Sequence, residues 1–225
     1  MTRETFQMLE TYMLGEMGDA AHDAEHIYRV LYSALDIAKT EPGTDIDVLI
    51  AACLLHDIGR ADEFRDPTLN HAVVGAEKAE KYLLEKGFGA EFAARVAAAI
   101  STHRFRSDNP PAGIEAKILF DSDKLDATGT MGVARTLLYN GHENEPLSTR
   151  LPDGSISDGS GNVPDSFLHE YHRKLKGLYN GFHTARGAAL AKEREAIMTA
   201  FYEAMLHEVR DPDDAGKAAL LEILE

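Results

Sequence analysis

Cysteine is nearly absent from this chain. A single residue, Cys53, can form no intramolecular disulfide, and a cysteine-based zinc site is excluded with it. Long apolar runs are missing too. Nothing approaches the roughly 18 consecutive apolar residues of a membrane-spanning helix. The opening stretch, MTRETFQMLETYMLGEMGDA, carries acids and lacks the apolar segment of a signal peptide, so a cytoplasmic, reduced setting is expected. Basic residues are outnumbered: 23 Lys and Arg stand against 38 Asp and Glu, a net charge of −15. Such a surface repels a phosphate backbone, which excludes a long nucleic acid as partner. A small anion stays compatible where a metal or a few local basic groups reverse the field. Strand-like alternation, internal repeats and heptad runs are also lacking.

What is present is helical periodicity, enough apolar residues for a packed core (44%), and ten histidines. Phe6, Leu9, Met13 and Met17 fall on one helical face. A second amphipathic helix is expected over 20–39, ended by Glu41-Pro42-Gly43, with His22 or Asp23 as its cap. Thr44 or Asp45 can cap the next helix, DVLIAACLLHD, which is apolar nearly all round and should be central. Gly59 reads as its stop and 60–67 as a charged loop. Further helices are expected over 69–86, 91–101, 114–126, 131–139, 165–179 and 184–209, with a short one over 214–224. The segment 140–164 is rich in Gly, Ser, Asn, Asp and Pro and reads as a long polar loop. The organisation expected is a core at 1–139 including its N-terminal helix, the loop 140–164, and C-terminal helices at 165–225 packed on that core.

Three groups carry chemistry. His26 and Arg29, three apart, share a helix face bordering the core residues Ile27, Val30 and Leu31. His56-Asp57 closes the most apolar helix, where burying an imidazole beside a carboxylate is costly unless a charged partner binds them. Neutral His and ionised Asp are both good ligands for a divalent cation. The third group is Asp121-Ser122-Asp123-Lys124-Leu125-Asp126, in which Asp123 follows Leu119 at helical spacing. Singly each has an ordinary reading: a hydrogen-bonded core histidine, a chance His-Asp pair, a solvated acidic face. Their combination in this order does not.

The order resembles the HD-domain superfamily of metal-dependent phosphohydrolases, whose pattern is a His, an adjacent His-Asp and a distant Asp. The matching strings are HDAEHIYRV, AACLLHDIGR and ILFDSDKLDATGTMGVAR. The similarity extends to small bacterial HD hydrolases related to the YedJ protein through NHAVVGA, ISTH and the tail landmarks K-L, T-A-R and R-E-x-x-M. The G-Y-P signature of cyclic-dinucleotide phosphodiesterases is absent. The resemblance implies an all-α HD-domain helical bundle with a C-terminal helical extension. It implies His26, His56, Asp57 and Asp123 as ligands of one divalent ion (Mn, Co, Ni, Mg or Fe), and hydrolysis of a small phosphorylated molecule, a nucleotide foremost, by a metal-activated water. Asp57 and Lys124 are the expected catalytic groups. Arg29, His71 and His103 are the expected substrate-binding groups, with Arg60 and Arg65 as weaker basic candidates and Asp62 or Glu63 as possible general acids. Two rivals stand beside this reading. One is an HD-type di-iron oxygenase using His26, His56, Asp57, His71, His103 and Asp123 together. The other is a non-catalytic helical module with a structural metal.

Overall fold

The computed structural model describes residues 1–17, 24–104 and 109–224. The expected cap at His22 or Asp23 lies outside them. The described residues are helical, with no strand among them beyond an isolated bridge between Arg150 and Ile156. Two compact units are present. The first comprises 1–126 with 182–189, the second 127–181 with 190–225.

In the first unit, α1 (Arg3–Glu16), α2 (Ala24–Ala38), α5 (His71–Glu85), α6 (Ala90–Ser101) and α7 (Ile114–Leu125) surround α3 (Ile46–Leu55). The central position of α3 follows from its composition: every residue from Val48 to Leu55 except Ile50 is buried. Asp45 caps it, its Oδ1 accepting from the Asp47 and Val48 amides at 3.1 and 3.3 Å. Around it pack Leu9, Met13, Ile27, Leu31, Leu83 and Ile100, each at most 2% exposed. Burial of such side chains contributes about 1.5–3 kcal/mol each before chain entropy is set against it.

Residues 60–67 depart from the expected loop. Arg60–Arg65 form a short helix, α4. It has no apolar stripe that sequence periodicity could register. Polar contacts hold it instead: Arg60 Nε to Asp57 Oδ1 at 2.9 Å, Lys78 Nζ to Asp62 Oδ2 at 3.0 Å and Glu63 Oε2 to His71 Nδ1 at 2.6 Å. Gly59 is not a left-handed stop either, since its φ is −89°. It is glycine because α5 crosses it closely: a Cβ there would lie 2.3 Å from the His71 carbonyl oxygen.

The second unit has α8 (Gly129–His142), α9 (Phe167–Arg173), a 3-10 turn (Leu175–Gly177) and α10 (Ala185–Leu224), whose first residues belong to the first unit. Its core is Val133, Phe167, Leu168, Tyr171, Leu178 and Met198. The expected break between two C-terminal helices does not occur, and α10 runs through Pro212. A proline there normally costs about 3 kcal/mol. Flanking side chains bind the 140–164 segment across it: Arg210 Nη2 donates to Ile156 O at 2.9 Å, and Asp213 pairs with Arg150 at 3.1 Å.

Candidate metal centre

The candidate site lies wholly within the first unit. His26 comes from the first turn of α2, and His56 and Asp57 from the turn that follows α3. Asp123 comes from the last turn of α7, His71 opens α5, and His103 follows α6. Asn70 sets the start of α5, its side-chain oxygen accepting from the Ala72 amide at 3.1 Å. Gly59 and Gly75 let α5 lie against the His56-Asp57 turn; a Cβ on Gly75 would stand 3.3 Å from the His56 carbonyl.

Four atoms converge. His26 Nε2 is 3.3 Å from Asp123 Oδ1 and 3.6 Å from Asp57 Oδ2. His56 Nε2 is 3.6 Å from Asp57 Oδ2 and 4.0 Å from Asp123 Oδ1. Ligands about 2.1 Å from one ion are separated by distances of this order. The donor set fits a cation on a second ground. His56 Nε2 and Asp57 Oδ2 are buried and make no hydrogen bond, an expense that an ion would offset. The imidazoles are also oriented from behind. His56 Nδ1 donates to Cys53 O at 2.8 Å, and His26 Nδ1 to Asp126 Oδ2 at 2.8 Å. With each Nδ1 carrying its proton outward, the Nε2 lone pairs face the cluster.

Asp126, which the resemblance does not name as a ligand, is the outer support of the site. It accepts both His26 Nδ1 and a two-pronged contact from Arg29, Nε at 2.7 Å and Nη2 at 3.1 Å. Its signal was its spacing, three residues after Asp123 on the same helical face. Arg29 thus reaches the site through Asp126. The third acid, Asp121, is fully buried and ties down the start of α10, accepting from the Thr184 amide at 2.8 Å and the Thr184 hydroxyl at 2.7 Å.

A second cluster shares Asp57. His71 Nε2 and His103 Nε2 are 3.3 Å apart, and they lie 3.7 and 3.5 Å from Asp57 Oδ1. His103 Nδ1 donates to Ile100 O at 2.6 Å, which turns Nε2 toward His71 and Asp57. His71 Nδ1 faces Glu63 Oε2 at 2.6 Å, and Glu63 Oε1 takes Arg104 Nη1 at 2.7 Å. Glu63 was one of two acids the spacing could not separate; the fold singles it out because it meets His71, whereas Asp62 takes Lys78 and Arg65. Asp57 Oδ1 also holds Arg60 Nε at 2.9 Å.

Electrostatics follow from these contacts. Burial pushes His26 down, but the hydrogen bonds it donates to Asp123 and Asp126 outweigh this and hold the ring up at about 9, so an ion binding at Nε2 would displace a proton there. Burial, with His103 nearby, takes His56 down to about 4. Burial and the Arg60 charge take His71 down to about 3. Asp57 is held well below the carboxylate range against its burial, by Arg60 first and then by His56 and His103.

Of the residues expected from sequence, the fold brings together His26, His56, Asp57, Asp123, His71 and His103, with Arg29 and Arg60 behind two of the carboxylates. Lys124 is buried with its amine over the rings of Phe120 and Phe182, 5.6 and 4.8 Å from their centroids. Its catalytic assignment therefore rests on adjacency to Asp123 alone. Arg65 pairs with Asp62 on the exposed side of α4.

A helical bundle with this His, His-Asp, Asp arrangement defines the class. Residues 23–128 match the HD domain model, so this segment of the chain is an HD domain. It is 28% identical over 186 residues to YpgQ of Bacillus subtilis, covering 81% of this chain and 82% of that protein. The crystal structure of YpgQ in complex with ADP superposes with a TM-score of 0.69 at 26% identity, covering 92% of this chain and 99% of that one. An HD-superfamily hydrolase of Bacillus thuringiensis gives a TM-score of 0.69 at 26% identity, covering 92% of this chain and 97% of that one. The fold is that of HD-superfamily hydrolases, and no helix among the described residues is long and apolar enough to cross a membrane.

Proposed function

We propose that the chain is a metal-dependent phosphohydrolase that cleaves a phosphoester or phosphoanhydride of a small molecule, a nucleotide foremost. The observation that carries this reading is the convergence of His26 Nε2, His56 Nε2, Asp57 Oδ2 and Asp123 Oδ1, with the two imidazoles held from behind by Asp126 and Cys53 O. A divalent ion bound there supplies a water of lowered pKa and polarises a phosphoryl oxygen. The chain's own groups do the rest. Asp57 presents Oδ2 to the cluster while Arg60 holds Oδ1, which fixes the carboxylate plane. His71 and His103 turn Nε2 toward Asp57, positioned to hydrogen-bond the phosphate. Arg29 stiffens Asp126 and through it His26. Nucleotide as substrate is supported by the ADP complex of YpgQ.

The cluster of His71, His103 and Asp57 is what the di-iron reading would use, and His56, Asp57 and His103 offer ligand atoms close enough for a second ion. Arg60 argues for one. Its guanidinium already neutralises Asp57 Oδ1 and raises the potential where a second cation would sit. The test is a screen of metal-loaded protein against nucleotides and sugar phosphates, reading phosphate and pyrophosphate release separately. Asp57→Ala should lose hydrolysis and metal while keeping its helical circular dichroism. Wild-type turnover by that variant in a metal-defined buffer would refute the assignment.

A further inference from the structure

We propose that Phe64 is the surface on which the substrate's nucleobase stacks, a specificity residue at the edge of the metal-ligand cluster. The proposal rests on the nucleotide reading above. Phe64 is 79% exposed, the most exposed large hydrophobic residue among those described. It is also the sole apolar side chain larger than alanine on α4, in the sequence RADEFR. Single exposed hydrophobics are ordinary; what distinguishes this one is register. Positions 60, 63 and 64 share one helical face. Arg60 reaches Asp57 from that face at 2.9 Å, and Glu63 reaches His71 at 2.6 Å. Phe64 stands one turn after Arg60, and helical side chains lean toward the N-terminus of their helix, here toward Arg60.

The charge around it suits a nucleotide. Arg60 and Arg104 hold the two oxygens of Glu63 between them, at 3.8 and 2.7 Å, and each side chain is about a third exposed. With Arg60 also on Asp57, the four groups balance, a locally neutral patch on a chain whose net charge of −15 otherwise repels phosphate. A ligand with its phosphates at the cluster and these guanidiniums has an aromatic face within the same helix for its base. Base stacking needs only a π-face and tolerates any base, with larger rings gaining more overlap.

The experiment compares Mn²⁺-loaded wild type, Phe64→Ala and Phe64→Trp on ATP, CTP and base-free tripolyphosphate, with ADP binding measured by calorimetry. Phe64→Ala should raise KM for ATP and Kd for ADP about tenfold, with a smaller rise for CTP. Tripolyphosphate kinetics and all kcat values should hold within about twofold. Phe64→Trp should restore the wild-type values. Equal changes for ATP and tripolyphosphate, or none for either, would overturn the stacking role while leaving the nucleotide reading intact. A wild type that cleaves other phosphoesters but neither hydrolyses ATP nor binds ADP would overturn the nucleotide reading and the stacking role with it.

Discussion

Gly59→Ala is a small change with a large expected effect. The added methyl would lie 2.3 Å from the His71 carbonyl oxygen, 2.7 Å from the Gly75 amide nitrogen and 3.1 Å from the His71 carbonyl carbon. All three obstacles are backbone, so no side-chain rotation relieves them. Real Cβ atoms essentially never come within 3.0 Å, so the N-terminal turn of α5 must retreat by about 0.7 Å. Overpacking of this kind costs about 1–3 kcal/mol. In a chain of this size that lowers Tm by roughly 3–10 °C. The retreat carries His71 away from His103 and Asp57, now 3.3 and 3.7 Å from its Nε2. A displacement near 1 Å in a catalytic constellation can lower turnover about 100-fold. The assay pairs thermal unfolding with kcat/KM on the best substrate from the screen. Gly15→Ala is the control, because a Cβ there meets nothing within 4 Å inside α1 and should raise stability by up to about 1 kcal/mol. A Gly59→Ala protein that melts within about 1 °C of wild type and keeps kcat/KM within about twofold would refute the close-packing argument.

Asp126→Asn should weaken metal binding about 10- to 100-fold with helicity retained, because His26 and Arg29 both lose a charged acceptor. Arg29→Ala should show a milder loss in the same direction, and unchanged metal affinity in both variants would refute the role of Asp126 in supporting His26. Elemental analysis should find one equivalent of divalent metal per chain. The double variant His71→Ala, His103→Ala should keep that metal and lose most turnover; two equivalents in wild type and one in the variant would revive the di-iron alternative. Lys124 gives a pH dependence. Burial lowers its ammonium from 10.5 to about 8, with Asp121 opposing. Between those values the unfolded chain binds more protons than the folded one, so stability from this group is full above 10.5 and falls as pH drops through about 8. Lys124→Met should therefore gain on wild type in urea midpoint as pH is lowered from 10 to 7, and a difference independent of pH would contradict the buried-amine account.

Much of this protein was legible in one dimension because its information is local. Helical spacing marked the elements of the first unit other than α4 within a few residues. The all-round apolar run of 46–55 announced a central helix, since nothing on it suits water. The order His26, His56-Asp57, Asp123 pointed to a cation, because buried imidazole and carboxylate side by side need one. Contacts distant in sequence left no periodic trace. Asp126 and His26 meet across 100 residues and Arg29 and Asp126 across 97. Asp121 was one of three similar acids until the start of α10 was found on it. α4 has no apolar stripe, so its existence, and with it Glu63 and Arg60 at the site, depended on ion pairs that only folding assembles. Gly59 looked like a helix stop by its position; the crossing of α5 at 2.3 Å from its missing Cβ gave the true reason. Propensity and hydrophobic pattern act along the chain and decided the helices, whereas close approach and charge pairing act through space, and those decided which side chains became a site.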